Sequence, residues 1–528
     1  MSDTTQQSLA MIRELVSNSR GQRIQNADET ISSISLPGID LRGVAQLSVL
    51  NTPFTNRFLG RAAGLKAPVI TGRIVQGTTG RASGYFGTAE EGKRGGTISI
   101  SGALSGARHR TLSVEWGETD EAFLTTQDDY DTVGQLTAWA LAETRRRHHI
   151  LNLFGRTTGP TDSTNGDAYA SGGIGSTPTP TVSNTTTGGT IVAQVNSAIA
   201  VALNGEGWYK TRTYVPNVAN TWIAQNGVTV FGSELLDYTR TNADGTTTVQ
   251  KGGTAIKSSA QTSTTTTGAS TLTLSLPPLQ GALGYAWFVG LAGSEVYQGT
   301  TAIATVTLTN LVTGASYQPA ASVFTADNTP DPFVYDGLIT RLQGSTAYGP
   351  TGALITTLTN GNTLTAAPNG GIVEFNAVLK ALYTNLDGYS PEYVLVSGNT
   401  YNAVNTALFG SPSTSKSTYF IPFEGGDAAG VTAGNAFTFI KNPITKEKIE
   451  IVVDPYVPDG IALFGSRVIP NAVGGSTASE AATFYTLRDY WGEMWPRVTR
   501  SYRGAVHLHG SLFLRAPAIF GIINNIAT

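Results

Sequence analysis

GIVEFNAVLKALYTNLDGYSPEYVLVSGNTYN, residues 371–402, is the stretch whose reading decides the fold. Ile372, Phe375, Val378, Leu379, Leu382 and Leu386 recur at helical spacing and draw one apolar stripe. Asn369 is placed to cap the start of that helix and Gly388 to end it. In the following PEYVLVS, residues 391–397, Tyr393, Val394, Leu395 and Val396 leave no polar face, so the run reads as a buried strand. Asn399 or Thr400 then caps a second, short helix with Tyr401, Val404 and Leu408 on one side.

Toward the C-terminus the chain turns to strands, at 449–453, 461–464, 484–487 and 506–514. Toward the N-terminus, 129–155 is the clearest long helix. Asp128, Asp129 and Asp131 suit its positive end, and the run Arg145-Arg146-Arg147-His148-His149 suits its negative end. Val133, Leu136, Trp139 and Ala140 lie on or near one face, and Gly155 is a stop. Residues 66–116 read as a long projecting hairpin, with strands at 69–75 and 97–103 and a third run at 111–116. Its glycine-rich tip carries Glu90, Glu91, Lys93 and Arg94. A two-stranded element of this kind has little core of its own. Before it, Leu9, Ile12 and Val16 make a short helical stripe, and Pro37, Gly38, Gly43 and Pro53 punctuate an extended arm. Such an arm has to find another surface on which to bury its few apolar residues.

The middle of the chain is rich in Thr, Ser, Gly and Asn. Residues 156–190 form a low-complexity loop, 190–203 fit helix or strand, and 205–256 look β-like with turn signals at Asn226-Gly227 and Asp244-Gly245. A second Thr/Ser linker at 258–270 announces a small all-β module at 257–325. Its runs at 271–276, 285–290, 295–298 and 304–311 have the spacing of a β-sandwich, with Tyr285 and Trp287 facing inward.

At 528 residues the chain allows roughly three or four domains. Charged residues make up 13%, against about a quarter in ordinary domains. Weak surface charge lowers repulsion between copies of the same chain. With a net charge of −3 and no basic stripe outside 145–149, tight binding of nucleic acid through phosphates is not expected. There are no cysteines, which excludes disulfides, thiolate metal sites and cysteine nucleophiles. The first residues lack a basic and then apolar signal segment, and no apolar run approaches the ~20 residues of a membrane span. A soluble protein made in a cytoplasm is expected, with no membrane partner.

In this order of elements the sequence resembles the tailed-bacteriophage major capsid protein family with the Hong Kong 97-type fold. The resemblance covers most of 1–155 and 326–528. Three stretches carry it: helix, PEYVLVS and capped helix at 371–402; IEIVVDP followed by GIALFGS within 449–466; and a terminal strand with the turn Ala516-Pro517-Ala518 within 502–525. It implies an α+β capsid fold with an inserted all-β sandwich of immunoglobulin or fibronectin type. The implied layout is an N-terminal arm (1–60), an extended hairpin (61–120) and a peripheral domain with the spine helix 129–155 (121–256). The insertion (257–325), an axial domain (326–480) and closing strands (481–528) follow. It further implies pentamers and hexamers of this chain in an icosahedral virion shell, assembled in the host cytoplasm and enclosing DNA with weak contact. No long charged helix precedes the arm, so a separate scaffold protein is expected, along with portal and decoration proteins.

Single motifs add little chemistry. His507-x-His509 puts two imidazoles on one side of a strand with no third ligand nearby in sequence, so no metal is expected. Arg145, Arg146 and Arg147 are candidates for facing DNA, or for pairing with carboxylates. Glu90, Glu91, Lys93 and Arg94 are candidates for assembly contacts. Relatives in the resembled family form Lys–Asn cross-links, but Lys93 in a solvated loop reads more simply as a surface lysine. No paired carboxylates, nucleophile elbow or phosphate loop is present, so neither a catalytic site nor a cofactor is expected. Two other readings compete. A tail-tube protein or adhesin with an immunoglobulin-like module suits the Thr-rich strands but not the long helix. A secreted carbohydrate-active enzyme lacks its carboxylates and its signal segment.

Overall fold

The structure, a computed structural model, describes residues 50–63, 68–79, 99–119, 132–159, 169–211, 232–241, 245–314, 319–320, 322–343, 354–358, 361–367, 371–409, 439–469, 480–495 and 501–527. The chain starts in a π-turn (Phe54–Phe58) and β1 (Gly60–Ala63). The hairpin β2 (Val69–Thr79) and β3 (Ser99–Arg108) follows, then β4 (Arg110–Thr119) and α1 (Thr132–Phe154). Next come β5 (Thr181–Thr185), β6 (Val195–Leu203), α2 (Gly205–Thr211), β7 (Tyr238–Thr241) and β8 (Thr247–Gln250). They lead into β9 (Gln261–Thr264), β10 (Thr271–Ser275), β11 (Gly284–Gly290), β12 (Val296–Thr301) and β13 (Thr305–Leu308). After α3 (Leu338–Gln343) and β14 (Leu354–Thr357) stand α4 (Val373–Asn385), β15 (Tyr393–Val396) and α5 (Gly398–Phe409). The chain closes with β16 (Phe439–Lys441), β17 (Lys448–Val453), β18 (Ala462–Gly465), β19 (Ala482–Met494), β20 (Ser501–Leu514) and β21 (Gly521–Asn524). This is the expected α+β class.

The helix–strand–helix stretch lies at the heart of a six-stranded mixed sheet ordered β14-β21-β18-β15-β17-β16. β15 is fully buried because both faces of the sheet are covered. On one face Phe375 of α4 meets Phe464 edge-on, ring centroids 5.0 Å apart. Phe58 of the π-turn stacks on Tyr393 at 3.9 Å. Phe375, Val378, Leu379 and Leu382 are all buried, each side chain contributing roughly 1.5–3 kcal/mol. Gly388 ends α4 as expected: at φ +96° its N–H reaches back to Tyr383 O at 2.9 Å. The expected cap Asn369 lies outside the described residues, and the helix starts after Ile372, which makes no side-chain cap. For α5 the cap is Ser397, ahead of the expected Asn399 or Thr400: its Oγ accepts the Thr400 N–H at 3.1 Å.

A second sheet, β1-β19-β20-β4, packs against α1 through Ala140, Leu141 and Val506. One core runs without a break from this sheet, through Phe484, Leu508 and Leu512, to the six-stranded sheet. The hairpin pairs Val69 with Arg108 and Thr79 with Ser99. The third run expected beside it does not extend it: β4 pairs with β20, Val114 opposite Val506.

The all-β module is wider than 257–325. Its two sheets, β13-β10-β5 and β12-β11-β6-β9, take β5 and β6 from 181–203. β10 needs β5 to complete its outer row, with Thr271 opposite Thr185, and β11 is buried only with β6 beside it. Between the sheets lie Leu272, Leu274, Trp287, Val289, Val306 and Leu308. The other face of β11 sends Ala286 and Phe288 against Leu235, Tyr297 and Phe324. Residues 205–211, read as β-like, form α2 instead, because the Asn204 side chain accepts the Gly207 N–H at 2.9 Å and starts a helix. No helix among the described residues is long and apolar enough to cross a membrane.

Candidate functional site

Three places concentrate polar chemistry: the inner face of α1, the root of the module and the root of the hairpin. Of the sequence candidates, Glu90, Glu91, Lys93 and Arg94 lie outside the described residues. Arg145, Arg146 and Arg147 sit on α1, and two of them are engaged within the helix. Arg146 pairs with Glu143, and Arg147 Nε stands 2.8 Å from Glu143 Oε1. The charges of Arg61 and Arg145 act on the buried His148 and Tyr490. Burial holds the His148 pKa well below its ordinary value, and Arg61, His149 and Arg145 lower it further. It therefore meets Tyr490 Oη at 2.8 Å as a neutral ring.

The adjoining His149 does not complement the end of its helix, as the sequence had suggested. The helix runs on to Phe154 and His149 is fully buried. Asn152 Nδ2 donates to Thr55 Oγ1 at 3.3 Å, and that hydroxyl shares a hydrogen bond of 2.8 Å with His149 Nδ1. His149 Nε2 lies 2.8 Å from Asp454 Oδ2, off the axis of a hydrogen bond. Tyr335 Oη donates to Asn152 Oδ1 at 2.9 Å. Thr, His and Asp in contact suggest a hydrolytic triad. Here His149 and Asp454 are both fully buried inside the core. The arrangement works as a clamp joining the π-turn, α1 and the strand end after β17.

At the module root, incoming and outgoing chains are stapled together. Asp336 accepts the N–H groups of Thr157 (2.8 Å) and Ser171 (2.7 Å), and Arg341 Nε stands 3.4 Å from it. Asp327 accepts the Gly175 N–H at 2.8 Å, and Asn204 Nδ2 donates to Thr329 O at 2.6 Å. Arg156, buried at the end of α1, donates to Gly172 O at 2.5 Å. Asn525, at φ +64°, accepts the Ala304 N–H at 2.8 Å and fastens the module's lower turn to the strand end of β21. A cavity of about 300 Å³ opens at this junction, lined by Leu279, Gln280, Tyr285, Gln343, Ile355 and Asn524 among others. Burial pushes Glu234 up to about 7 and Asp331 up to about 6, so both hold their protons further into the neutral range than ordinary carboxyls.

His507 and His509 pack against different rings. His507 lies against the Trp491 ring at 5.1 Å, and His509 meets His109 edge-on at 5.8 Å. Among the described residues no group of three His, Cys, Asp or Glu side chains is arranged to hold an ion. At the hairpin root, Arg341 Nη2 donates to Gly106 O at 2.8 Å. Sequence reading missed this contact, as it missed both clamps, because the partners lie far apart along the chain.

No family model matches the sequence, and no curated protein matches it. Among solved structures, the capsid of native GTA particle is 8% identical at a TM-score of 0.40, covering 95% of this chain and 99% of that one. The Cyanophage A-1(L) capsid is 10% identical at 0.38, covering 95% and 100%. The capsid of Myoviridae Phage XM1 is 8% identical at 0.35, covering 92% and 95%. Superpositions this loose carry no weight for function; the chain's own element order and geometry do.

Proposed function

We propose that this chain is a non-enzymatic shell subunit, the major capsid protein of a tailed phage with the Hong Kong 97-type architecture. One observation carries the reading. The long strands β2 and β3 pair only with each other among the described residues, whereas β4, β19 and β20 of similar length join a four-stranded sheet backed by the main core. Such a hairpin gains its stabilising contacts from a neighbouring copy, and repeated head-to-tail contacts close into rings. The long α1 serves as the spine of the peripheral domain, and the six-stranded sheet with α4 and α5 as the axial domain. The sandwich between 176 and 311 is an immunoglobulin-like insertion. The Glu90, Glu91, Lys93 and Arg94 tip contacts the next subunit. With Arg146 and Arg147 shared with Glu143, any contact of the 145–147 run with enclosed DNA is weak. Scaffold, portal and decoration proteins complete the virion, which assembles in the host cytoplasm.

The test is electron microscopy of the purified full-length chain, made alone and with candidate scaffold proteins. Closed particles with five- and six-fold clusters are expected. Tubes or fibres favour a tail or adhesin role, and dispersed monomers under every condition overturn the proposal.

A further inference from the structure

One of the hairpin's two chain connections to the body is a single residue. β3 ends at Arg108 and β4 begins at Arg110, so His109 alone connects a hairpin strand to a strand of the peripheral sheet. Its N–H donates to Pro68 O at 3.0 Å, which ties the feet of β2 and β3 together. The side chain is only 6% exposed. Its Nδ1 lies 3.3 Å from Ser511 Oγ on β20, while Nε2 is buried with no partner. The ring meets that of His509, also on β20, edge-on at 5.8 Å.

The charged surroundings leave this pair without a counter-ion. Arg108 and Arg110 flank His109 in the chain, Arg488 of β19 stands opposite His509, and Arg110 Nη2 donates to Thr157 Oγ1 at 3.4 Å. Arg341 of α3 reaches the hairpin at Gly106 O, and its own carboxylate partner is Asp336. The imidazoles that do face a carboxylate are His149, at Asp454, and His507, at Glu493. Neither His109 nor His509 has such a partner among the described residues.

We infer that His109 and His509 make the hairpin root a proton-operated hinge. While both rings are neutral, the root holds the hairpin at a fixed angle to the peripheral sheet. When they take up protons, two adjacent cations and an unpaired buried N–H loosen the foot and let the hairpin swing. The direction of titration agrees. Burial, then His509, lowers the His109 pKa below 6.5, and burial lowers that of His509. A proton is thus held less firmly in the closed root than in the opened one. The closed root is fully favoured above the ordinary value of 6.5 and weakens as pH falls through it. The loss is complete below the lowered value. The hinge is a property of the single chain and stands apart from the shell proposal.

Hydrogen exchange on the full-length protein tests it, with rates normalised to the intrinsic rate at each pH. Between about pH 7.5 and about pH 5, exchange across 104–112 is expected to speed up about tenfold. The sandwich strand β11 serves as the internal control. His109→Gln and His509→Gln are each expected to remove the step, and His507→Gln to keep it. No step in the wild-type protein, or a step that survives both the 109 and 509 substitutions, overturns the hinge. If His109→Gln does not fold, His509→Gln decides, because it leaves the Ser511 contact in place.

Discussion

The two-sheet β module and the β2–β3 hairpin are built from similar sequence, rich in Thr, Ser and Gly, and end up in opposite conditions. In the sandwich, strict alternation turns Thr271, Thr273 and Ser275 outward and Leu272 and Leu274 inward, where Val306, Leu308 and Trp287 of neighbouring strands meet them. Across 176–204 and 254–311 only Lys257 and Glu295 carry charge, so the module is held mainly by its apolar interior. The hairpin has no second sheet. Leu104 is 58% exposed, and at the foot Gly72 faces Phe513 and Gly106 faces Tyr169. Composition alone does not separate the two. The difference is whether an alternating face finds an apolar partner within the same chain.

The contrast can be broken most severely from the sandwich side. Trp287→Ala removes a fully buried ring and its 2.7 Å hydrogen bond to Thr301 Oγ1. About 3–5 kcal/mol of module stability should go, read as a lower first transition in calorimetry, with exchange at the hairpin foot unchanged. Next comes a gain. Glu234 keeps its proton to about 7 when folded, against 4.5 ordinarily, so folding grows less favourable as pH rises between those values. Glu234→Gln should raise stability by up to about 3 kcal/mol at about pH 8 and do nothing below about pH 4.5, in thermal melts at both.

From the hairpin side, a Cβ added at Gly106 would lie 2.5 Å from the Tyr169 ring and 2.8 Å from Ile70 O. Gly106→Ala should cost about 1–3 kcal/mol and raise exchange at the hairpin foot while the sandwich keeps its protection. The smallest effect on the isolated chain is expected from Leu104→Ser, within about 0.5 kcal/mol by denaturant titration, since the side chain is already in water. The same substitution should lower particle yield if that surface meets a neighbour.

What could be read from sequence was local and periodic. The stripe from Ile372 to Leu386, the left-handed stop at Gly388 and the buried run at Tyr393 each depend on neighbours a few residues away. Asn204 was a readable cap before Gly205 that was overlooked under the β-like composition around it. Pairing over long separations was not legible. β4 leaves the hairpin for β20, and β5 joins β10, because of partners that no local pattern announces. The clamps fall in the same class: Thr55, His149 and Asp454 come from three distant segments. His149, read as a dipole partner, gave no sign that it would be buried.

Hydrogen exchange of the same full-length protein, once as dispersed chains and once as sedimented particles, tests the shell subunit most directly. Strands β10, β11, β15 and the hairpin foot (69–72 and 104–108) should be protected equally in both, and the outer hairpin residues 73–79 and 99–103 only in the particles. A hairpin equally protected in dispersed chains, or a protein that yields no particles to sediment, would contradict it.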